Sequence, residues 1–295
     1  MFIMAKRNIK LYFRDKANVF FSLMAVLVIV ALNIFFLTDT LNKGMSEVPH
    51  IERLVGTWLV AGIVAVTSTT TALGSLHIMI DDKTRKIYKD FYTSPLRRSS
   101  LAGGYLIGCM VVGVIMSVIA CAAGIGYMVY LGSDIPSAAT LAKTLGVIVL
   151  AVLANGSLMF FITTLLSSAC AFSAFSTVVG TLIGFLMGIY MPIGNLPDGI
   201  QWVVKLFPPT YAASALRAVL MEDVLNETFG GMTAPPQNLP EGYEIMTRAD
   251  FEQFMGVKFA FGDYVTDLMT ALAVMTAAAV LFCGLSVIAV GRKKR

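Results

Sequence analysis

Six apolar runs, each long enough to cross a lipid bilayer, dominate the pattern of hydrophobic and polar positions along the chain. An α-helix rises about 1.5 Å per residue, so about 20 residues span a hydrocarbon core of about 30 Å. The pattern predicts an all-α polytopic membrane protein, with a single six-helix domain over residues 17–295. The predicted transmembrane helices cover about residues 17–37, 54–76, 101–131, 144–166, 172–191 and 269–290.

The residues before the first run predict a basic amphipathic helix over residues 1–16. Its apolar and basic positions recur at helical spacing on two adjacent faces, which is typical of a helix on an anionic membrane surface. The apolar run behind it is too long for a signal peptide and lacks a small-residue cleavage site, so we expect no cleaved signal. The apolar positions are Phe2, Ala5, Ile9, Tyr12 and Phe13, and the basic positions are Lys6, Arg7, Lys10 and Arg14.

Composition and charge distribution support this topology and orient it. Only 14% of the residues are charged, against about 25% in soluble domains. With six spans, both termini and the loop after the second span lie on one side. That side carries most of the 22 Lys and Arg residues but few of the 18 Asp and Glu residues. The positive-inside rule therefore predicts that both termini are cytoplasmic.

The apolar runs themselves contain no Asp, Glu, Lys or Arg. Proton-coupled carriers usually keep an ionisable residue in the membrane because it binds the coupling ion. The chain also lacks the G-x-x-x-x-G-K-[ST] phosphate loop of ATPases. If the protein pumps a substrate, we therefore expect the energy to come from a separate ATPase that docks on the cytoplasmic side.

Catalytic and metal-binding chemistry finds no support in the sequence. His50 and His77 have no triad or metal-ligand partner at a recognisable spacing. The basic residues lie next to the membrane, which does not favour nucleic-acid binding. We therefore expect no catalytic residue, no metal site and no cofactor on this chain, and no nucleic-acid partner.

A short amphipathic helix is predicted over residues 82–93, in the loop after the second span. Asp82, or its neighbour Asp81, can cap its start, and Pro95 ends it because the residue before proline avoids helical geometry. The pattern alone fits a helix lying on lipid headgroups as well as a helix that docks an ATPase. Its apolar face consists of Ile87, Tyr88, Phe91 and Tyr92.

The segment after the fifth span, residues 192–268, is predicted to be extracytoplasmic. Pro192 ends the span, and an apolar stretch containing Pro208 and Tyr211 is too short to cross the membrane. This stretch predicts a re-entrant or interfacial helix. Arg217 within it is predicted to snorkel toward water or to pair with a nearby acid.

Some positions inside the predicted spans also carry information. Gly180, Gly184 and Gly188 are spaced four residues apart, which favours close approach of another helix, from the same chain or from a second copy. Lone polar residues in the first, second and fourth spans are candidates for interhelical hydrogen bonds, for bonds back to their own helix, or for lining a cavity. They are Asn33, Thr67, Thr70 and Asn155.

In this order and topology, three motifs resemble the type-2 permeases of ATP-binding-cassette exporters, including those of antibiotic export (daunorubicin-exporter-like) and polysaccharide export. The first is the opening basic stretch RNIKLYFRDKANVFFSL. The second is Ser94-Pro95-Leu96 at the close of the predicted docking helix. The third combines Asn195-Leu196-Pro197 with Phe207-Pro208-x-x-Tyr211-x-x-x-Ala215-Leu216-Arg217. The basic stretch from Thr84 to Lys89 departs from the family pattern.

The resemblance implies an assembly of two permeases, identical or homologous, with two cytoplasmic ATPase subunits that bind ATP and magnesium. In that assembly the coupling helix would contact the ATPase through Asp82, Ile87, Tyr88, Phe91, Tyr92, Ser94, Pro95 and Leu96. The expected function is export of a hydrophobic or amphipathic drug, antibiotic or peptide across the bacterial cytoplasmic membrane by alternating access. The alternatives are export of polysaccharide or lipid-linked glycan, and a regulatory membrane subunit that transports nothing.

Overall fold

A computed structural model of the chain describes residues 1–20, 22, 24, 28, 51–87, 98–130, 132, 135–230, 247–262 and 264–292. This part contains ten named α-helices, one 3-10 turn and one two-stranded hairpin. The helices are α1 (Phe2–Arg14), α2 (Ile51–Thr84), α3 (Arg98–Tyr130), α4 (Ala138–Leu165), α5 (Ala169–Leu186), α6 (Asp198–Leu206), α7 (Pro208–Leu220), α8 (Glu222–Gly230), α9 (Arg248–Phe254) and α10 (Leu268–Arg292). The 3-10 turn is Ile193–Asn195, and the antiparallel strands are β1 (Ala260–Phe261) and β2 (Tyr264–Val265).

Five of these helices, α2, α3, α4, α5 and α10, are long and apolar enough to cross a membrane. The prediction of an all-α polytopic membrane protein is therefore confirmed, with the short hairpin as a local exception. The predicted first span lies mostly outside the described residues. Its described positions, 17–20, 22, 24 and 28, are helical.

Helix α2 occupies the centre of the bundle and contacts α1, α3, α4, α5 and α7. A helix with neighbours on every side must be apolar all round, as this one is. Most of its hydroxyl side chains bond to their own helix: Thr67 Oγ1 lies 2.8 Å from the Ile63 carbonyl, and Thr70 Oγ1 lies 3.2 Å from that of Val66. These bonds allow polar residues to lie in the interior without an external partner.

Helix α2 also continues further than the apolar pattern predicts. Asp81 and Asp82 belong to its last turns, and the Arg85 amide donates to the Asp81 carbonyl at 2.8 Å. The prediction that Asp82 starts a separate helix is therefore wrong. The helix ends at Thr84, and Lys86 follows in a turn with a φ of 62°. Six predicted coupling residues lie outside the described residues: Tyr88, Phe91, Tyr92, Ser94, Pro95 and Leu96.

Helix α5 ends before the third glycine of the predicted packing motif. The Gly188 amide donates to the Phe185 carbonyl at 3.0 Å and the Ile189 amide to the Gly184 carbonyl at 2.8 Å. With a φ of 62° at Gly188, these bonds form a Schellman motif, in which a left-handed glycine closes a helix. The prediction of three glycines on one helical face is therefore wrong.

The other two glycines of that motif differ in their surroundings. A Cβ atom at Gly184 would collide with the ring of Tyr190, which folds back from the same chain. A Cβ atom at Gly180 would meet no heavy atom within 4 Å. The close contact at Gly184 is thus made within the chain, whereas Gly180 faces open space.

We expect Gly188→Ala to lower the free energy of unfolding by about 1–2 kcal/mol, the cost of a left-handed backbone with a Cβ atom. The added methyl carbon would also lie 2.6 Å from Ile193 Cγ1. Gly180→Ala is the matched control and should leave stability unchanged or slightly higher, since alanine favours helix. Thermal unfolding of the purified protein measures both effects. Normal stability of Gly188→Ala combined with loss of assembly would instead support a packing role.

Helix α7 is a short, buried helix held inside the bundle by α2, α4 and α10. Pro208 opens it at the first helical position, where no amide proton is needed. Tyr211 fastens it to the preceding helix, because its hydroxyl donates to the Lys205 carbonyl of α6 at 2.9 Å. Pro192 precedes the 3-10 turn that leads into this region. The short length and deep burial of α7 fit a re-entrant element.

Candidate functional site

One carboxylate joins three helices at the end of the bundle where α1 lies. Arg7 of α1 donates two hydrogen bonds of 2.7 Å to the two oxygens of Asp82 at the end of α2. The hydroxyl of Tyr105, near the start of α3, donates to the same carboxylate. Asp82 is only 3% exposed, whereas the Arg7 side chain is 30% exposed, so the pair is partly buried. Hydrogen bonding to Asp82 raises the pKa of the Arg7 guanidinium above its ordinary value.

The next residue in sequence binds a fourth helix. Lys83 donates to the carbonyls of Thr163 and Leu166, at 3.3 and 3.1 Å, where α4 ends. A cation is favoured there because the last carbonyls of a helix lack partners and carry partial negative charge. Arg7, Asp82, Lys83 and Tyr105, which we call the α2 junction, therefore connect the last turn of α2 to α1, α3 and α4.

Glycines allow α1 to pack closely enough for this contact. A Cβ atom at Gly104 would lie 2.5 Å from Met4 Cβ, and one at Gly108 would lie 3.1 Å from Asn8 Cβ. Neither Tyr105 nor Lys83 is a site residue predicted from the sequence, and Arg7 is predicted only as part of a basic face. Gly104 and Gly108, one helical turn apart, were the available signal of a close helix contact.

A cleft of about 380 Å³ opens beside the α2 junction. Arg7, Asp82 and His77 line it, and so does Ile87, the one described residue of the predicted apolar docking face. His77 Nδ1 lies 3.6 Å from an oxygen of Asp81, which is 40% exposed. The two adjacent aspartates thus differ: Asp82 is buried in the junction, and Asp81 faces the solvent.

A second cleft, also of about 380 Å³, lies between α2, α5 and the helical segment that follows α1. Its described lining has no Asp, Glu, Lys or Arg and is rich in hydroxyl groups. The Ser176 hydroxyl has no hydrogen-bond partner among the described residues. We call this the hydroxyl cleft, and its lining residues are Asn18, Ser22, Thr70, Leu73, Gly74, His77, Phe172, Ser173, Ser176, Thr177 and Gly180.

The predicted cavity residues divide between this cleft and the packed interior. Thr70 lines the cleft, whereas Thr67 is fully buried and bonded to its own helix. The amide nitrogen of Asn155 donates to the Ser68 hydroxyl at 2.8 Å and so links α4 to α2. Thr67 and Asn155 therefore contribute to packing and do not line the hydroxyl cleft. Asn33 lies outside the described part of the chain.

Arg217 is completely buried near the opposite end of the bundle. Its guanidinium donates to the carbonyls of Met187, Gly188 and Gly256 at 2.8, 2.9 and 3.3 Å. The predictions of a snorkelling cation or an acid-paired one are therefore wrong, because among the described residues this side chain bonds to main-chain oxygens. The packing of α7 against α2, α4 and α10 places the arginine in the interior, away from solvent.

The charge of Arg217 is balanced by helix ends and an aromatic ring. Met187 and Gly188 close α5, and Gly256 follows the C-cap of α9, so the guanidinium faces the negative ends of two helix dipoles. Its central carbon lies 5.0 Å from the ring centroid of Trp58, within the range of a cation–π interaction. Trp58 Nε1 in turn donates to the Met255 carbonyl at 2.8 Å. These contacts form what we call the arginine clamp.

Within the described residues, no group of three His, Cys, Asp or Glu side chains could hold a metal ion. Five long apolar helices of span length, packed around a short buried helix, define a multi-pass membrane protein. The family model for ABC-2 type transporters matches residues 1–221, well over half of the chain. The chain belongs to this family.

Family membership makes the protein the permease component of an ABC transporter, a transport subunit with an ATPase partner. The matched region contains the α2 junction, the described lining of the hydroxyl cleft, and Arg217. Helices α8 to α10 lie beyond it. A comparison with curated proteins gave no match.

Proposed function

We propose that the protein is the permease of an ATP-driven exporter that moves a hydrophobic or amphipathic drug, antibiotic or peptide out of the cytoplasm or the inner leaflet by alternating access. The observation that carries this proposal is the hydroxyl cleft. It lies between two membrane-crossing helices, and its described lining offers hydrogen-bonding groups beside apolar ones such as Leu73 and Phe172.

The chemistry of the cleft favours a cargo with little net charge. Hydroxyl and amide groups can bond to polar parts of a ligand, while apolar side chains cover the rest of its surface. A strongly ionic cargo would lose its hydration without gaining a charged partner, which is costly.

The energy source in this proposal is a separate ATPase, present in two copies and binding ATP and magnesium, with a second permease completing the assembly. The segment that contains Tyr88, Phe91, Tyr92, Ser94, Pro95 and Leu96 would contact it. That segment follows the last turn of α2 by only a few residues, and the α2 junction ties this turn to α1, α3 and α4. A displacement of the segment would therefore reach four helices. The membrane would be the bacterial cytoplasmic membrane.

A second cargo class, lipid-linked glycan, is favoured by the same hydroxyl-rich lining, since sugars bond through many hydroxyl groups. Reconstitution with the cognate ATPase in proteoliposomes separates the two. We expect lipophilic drugs or peptides to stimulate ATP hydrolysis. Stimulation by polyprenyl-linked glycans alone would replace the proposed cargo, and no stimulation by either class would favour a regulatory subunit.

The cleft itself is tested by Gly180→Leu. The new side chain would project into the hydroxyl cleft, where a Cβ atom meets nothing within 4 Å. We expect the cargo concentration needed for half-maximal stimulation to rise about tenfold, the effect of about 1.4 kcal/mol of lost binding. The matched control is Gly146→Leu, an exposed helical glycine of α4 outside the cleft that also has no neighbour within 4 Å. Equal behaviour of the two variants would place the cargo elsewhere.

A further inference from the structure

An exposed apolar surface extends over α6 and the β-hairpin, at the end of the bundle opposite α1. Trp202 is 58% exposed, Leu206 83% and Tyr264 56%. Large apolar residues grouped in this way mark interaction sites more often than single exposed ones do. The members of this outer apolar surface are Ile200, Trp202, Val203, Leu206, Tyr264 and Val265.

The helix and the hairpin form one continuous surface. The rings of Trp202 and Phe261 meet edge to face with centroids 5.9 Å apart, and Phe261 pairs with Tyr264 across the hairpin. Lys205 strengthens this contact, because its ammonium donates to the Ala260 carbonyl at 2.9 Å and lies 5.6 Å from the Trp202 ring centroid. The sequence predicts a re-entrant or interfacial helix just after α6, but not the hairpin.

The position of this surface in the chain places it next to the ends of two candidate membrane spans. Only the Schellman turn, the 3-10 turn and a few residues separate α6 from the end of α5, and β2 lies three residues before α10. Both α5 and α10 are candidate membrane spans. Met269, at the start of α10, is 72% exposed and continues the apolar character toward the bilayer. The surface therefore lies at the level where two spans leave the hydrocarbon core.

The composition of the outer apolar surface suits a position at the edge of the hydrocarbon core. Tryptophan and tyrosine rings prefer the boundary between headgroups and acyl chains, because one part of each ring is apolar and another bonds to water. Lysine can keep its ammonium near the headgroups while its methylene chain lies along apolar groups. We propose that the outer apolar surface docks on the lipids of the leaflet at this end of the bundle, and that it anchors the entrance of the re-entrant helix α7 to the bilayer.

The natural tryptophans allow a direct test on the full-length protein. The chain has two, of which Trp58 is fully buried and Trp202 is exposed. The protein is reconstituted in phosphatidylcholine vesicles that contain brominated lipid, and the Trp202→Phe variant supplies the Trp58 signal for subtraction. We expect the Trp202 component to lose most of its intensity, more strongly with bromines near the headgroup than near the chain end, and to be quenched weakly by aqueous iodide.

Two results would overturn the proposal. Strong quenching by iodide without quenching by brominated lipid would place Trp202 in water. Protection from both quenchers would indicate that protein, such as a second copy of the chain, covers the surface. Leu206→Asp serves as an internal check, because a charge on the same face should reduce lipid quenching of Trp202 while the emission of buried Trp58 reports an intact fold. The outcome is independent of what the protein transports.

Discussion

Replacing Arg217 with alanine is expected to destabilise the protein by about 3 kcal/mol or more, because a buried carbonyl left without its donor costs about 1–3 kcal/mol. Three carbonyls, those of Met187, Gly188 and Gly256, would lose a donor. Trp58 would also lose the guanidinium that packs on its ring. Because Arg217 is 0% exposed, solvent water is not in contact with these carbonyls to replace the lost donor.

Thermal unfolding with a thiol-reactive fluorogenic dye measures this loss. Cys109 and Cys121 are buried and become reactive on unfolding, and a Cys170→Ser, Cys283→Ser background removes the two thiols that are not buried. Lys143→Ala is the control, because Lys143 pairs with Glu222 at 3.8 Å and both side chains are more than half exposed; such pairs contribute about 0–1 kcal/mol. Arg217→Lys should fall between, since Nη1 and Nη2 bond to different helix ends and one ammonium cannot replace both. Equal unfolding temperatures of Arg217→Ala and Lys143→Ala would refute the clamp.

Replacing Asp82 with alanine is expected to reduce ATP-driven transport about tenfold or more while the permease still binds its ATPase. The pair is partly buried, since the Arg7 side chain is 30% exposed and that of Asp82 5%, so its loss should weaken the junction without unfolding the protein. Here the loss falls on the contacts of α2 with Arg7 of α1 and Tyr105 of α3. Without these contacts, α1 and α3 would no longer follow a displacement of the segment that is proposed to contact the ATPase. ATP hydrolysis would then continue without export.

The neighbouring aspartate provides the control. Asp81→Ala removes an equal charge from the same helical turn, but the Asp81 side chain is 40% exposed and, among the described residues, forms an ion pair with His77 at 3.6 Å, so transport should be near normal. Arg7→Ala should resemble Asp82→Ala, and the double variant should be no worse than either, because the two residues share one interaction. Export and ATP hydrolysis are measured together in proteoliposomes. Equal loss in Asp81→Ala and Asp82→Ala would show that local charge, and not the junction, matters.

The sequence predicts the class of this protein well because lipid imposes strong rules. Apolar runs of span length, the charge bias between their ends and the short apolar stretch after the fifth span each have one main physical explanation. Those features led to the membrane fold and to the short helix α7, whose re-entrant or interfacial placement stays a prediction. The same reasoning could not place the candidate sites, which depend on contacts between residues far apart in sequence.

Three predictions failed because the sequence pattern does not report backbone conformation or contacts between distant residues. The four-residue spacing of Gly180, Gly184 and Gly188 carries no information on φ, and the left-handed conformation at Gly188 ends the helix. Asp82 has a good capping side chain, but its bonds to Arg7 and Tyr105 draw it into the end of α2. Arg217 binds main-chain carbonyls, which every residue has, so its partners leave no trace in the sequence.

The bonds of Arg217 also restrict how the fifth span can move. Its guanidinium binds the carbonyls of Met187 and Gly188 at the end of α5. Because Arg217 belongs to α7, the end of α5 cannot tilt or slide away from α7 without breaking these bonds. An opening of the bundle at this end would thus displace α5 and α7 together.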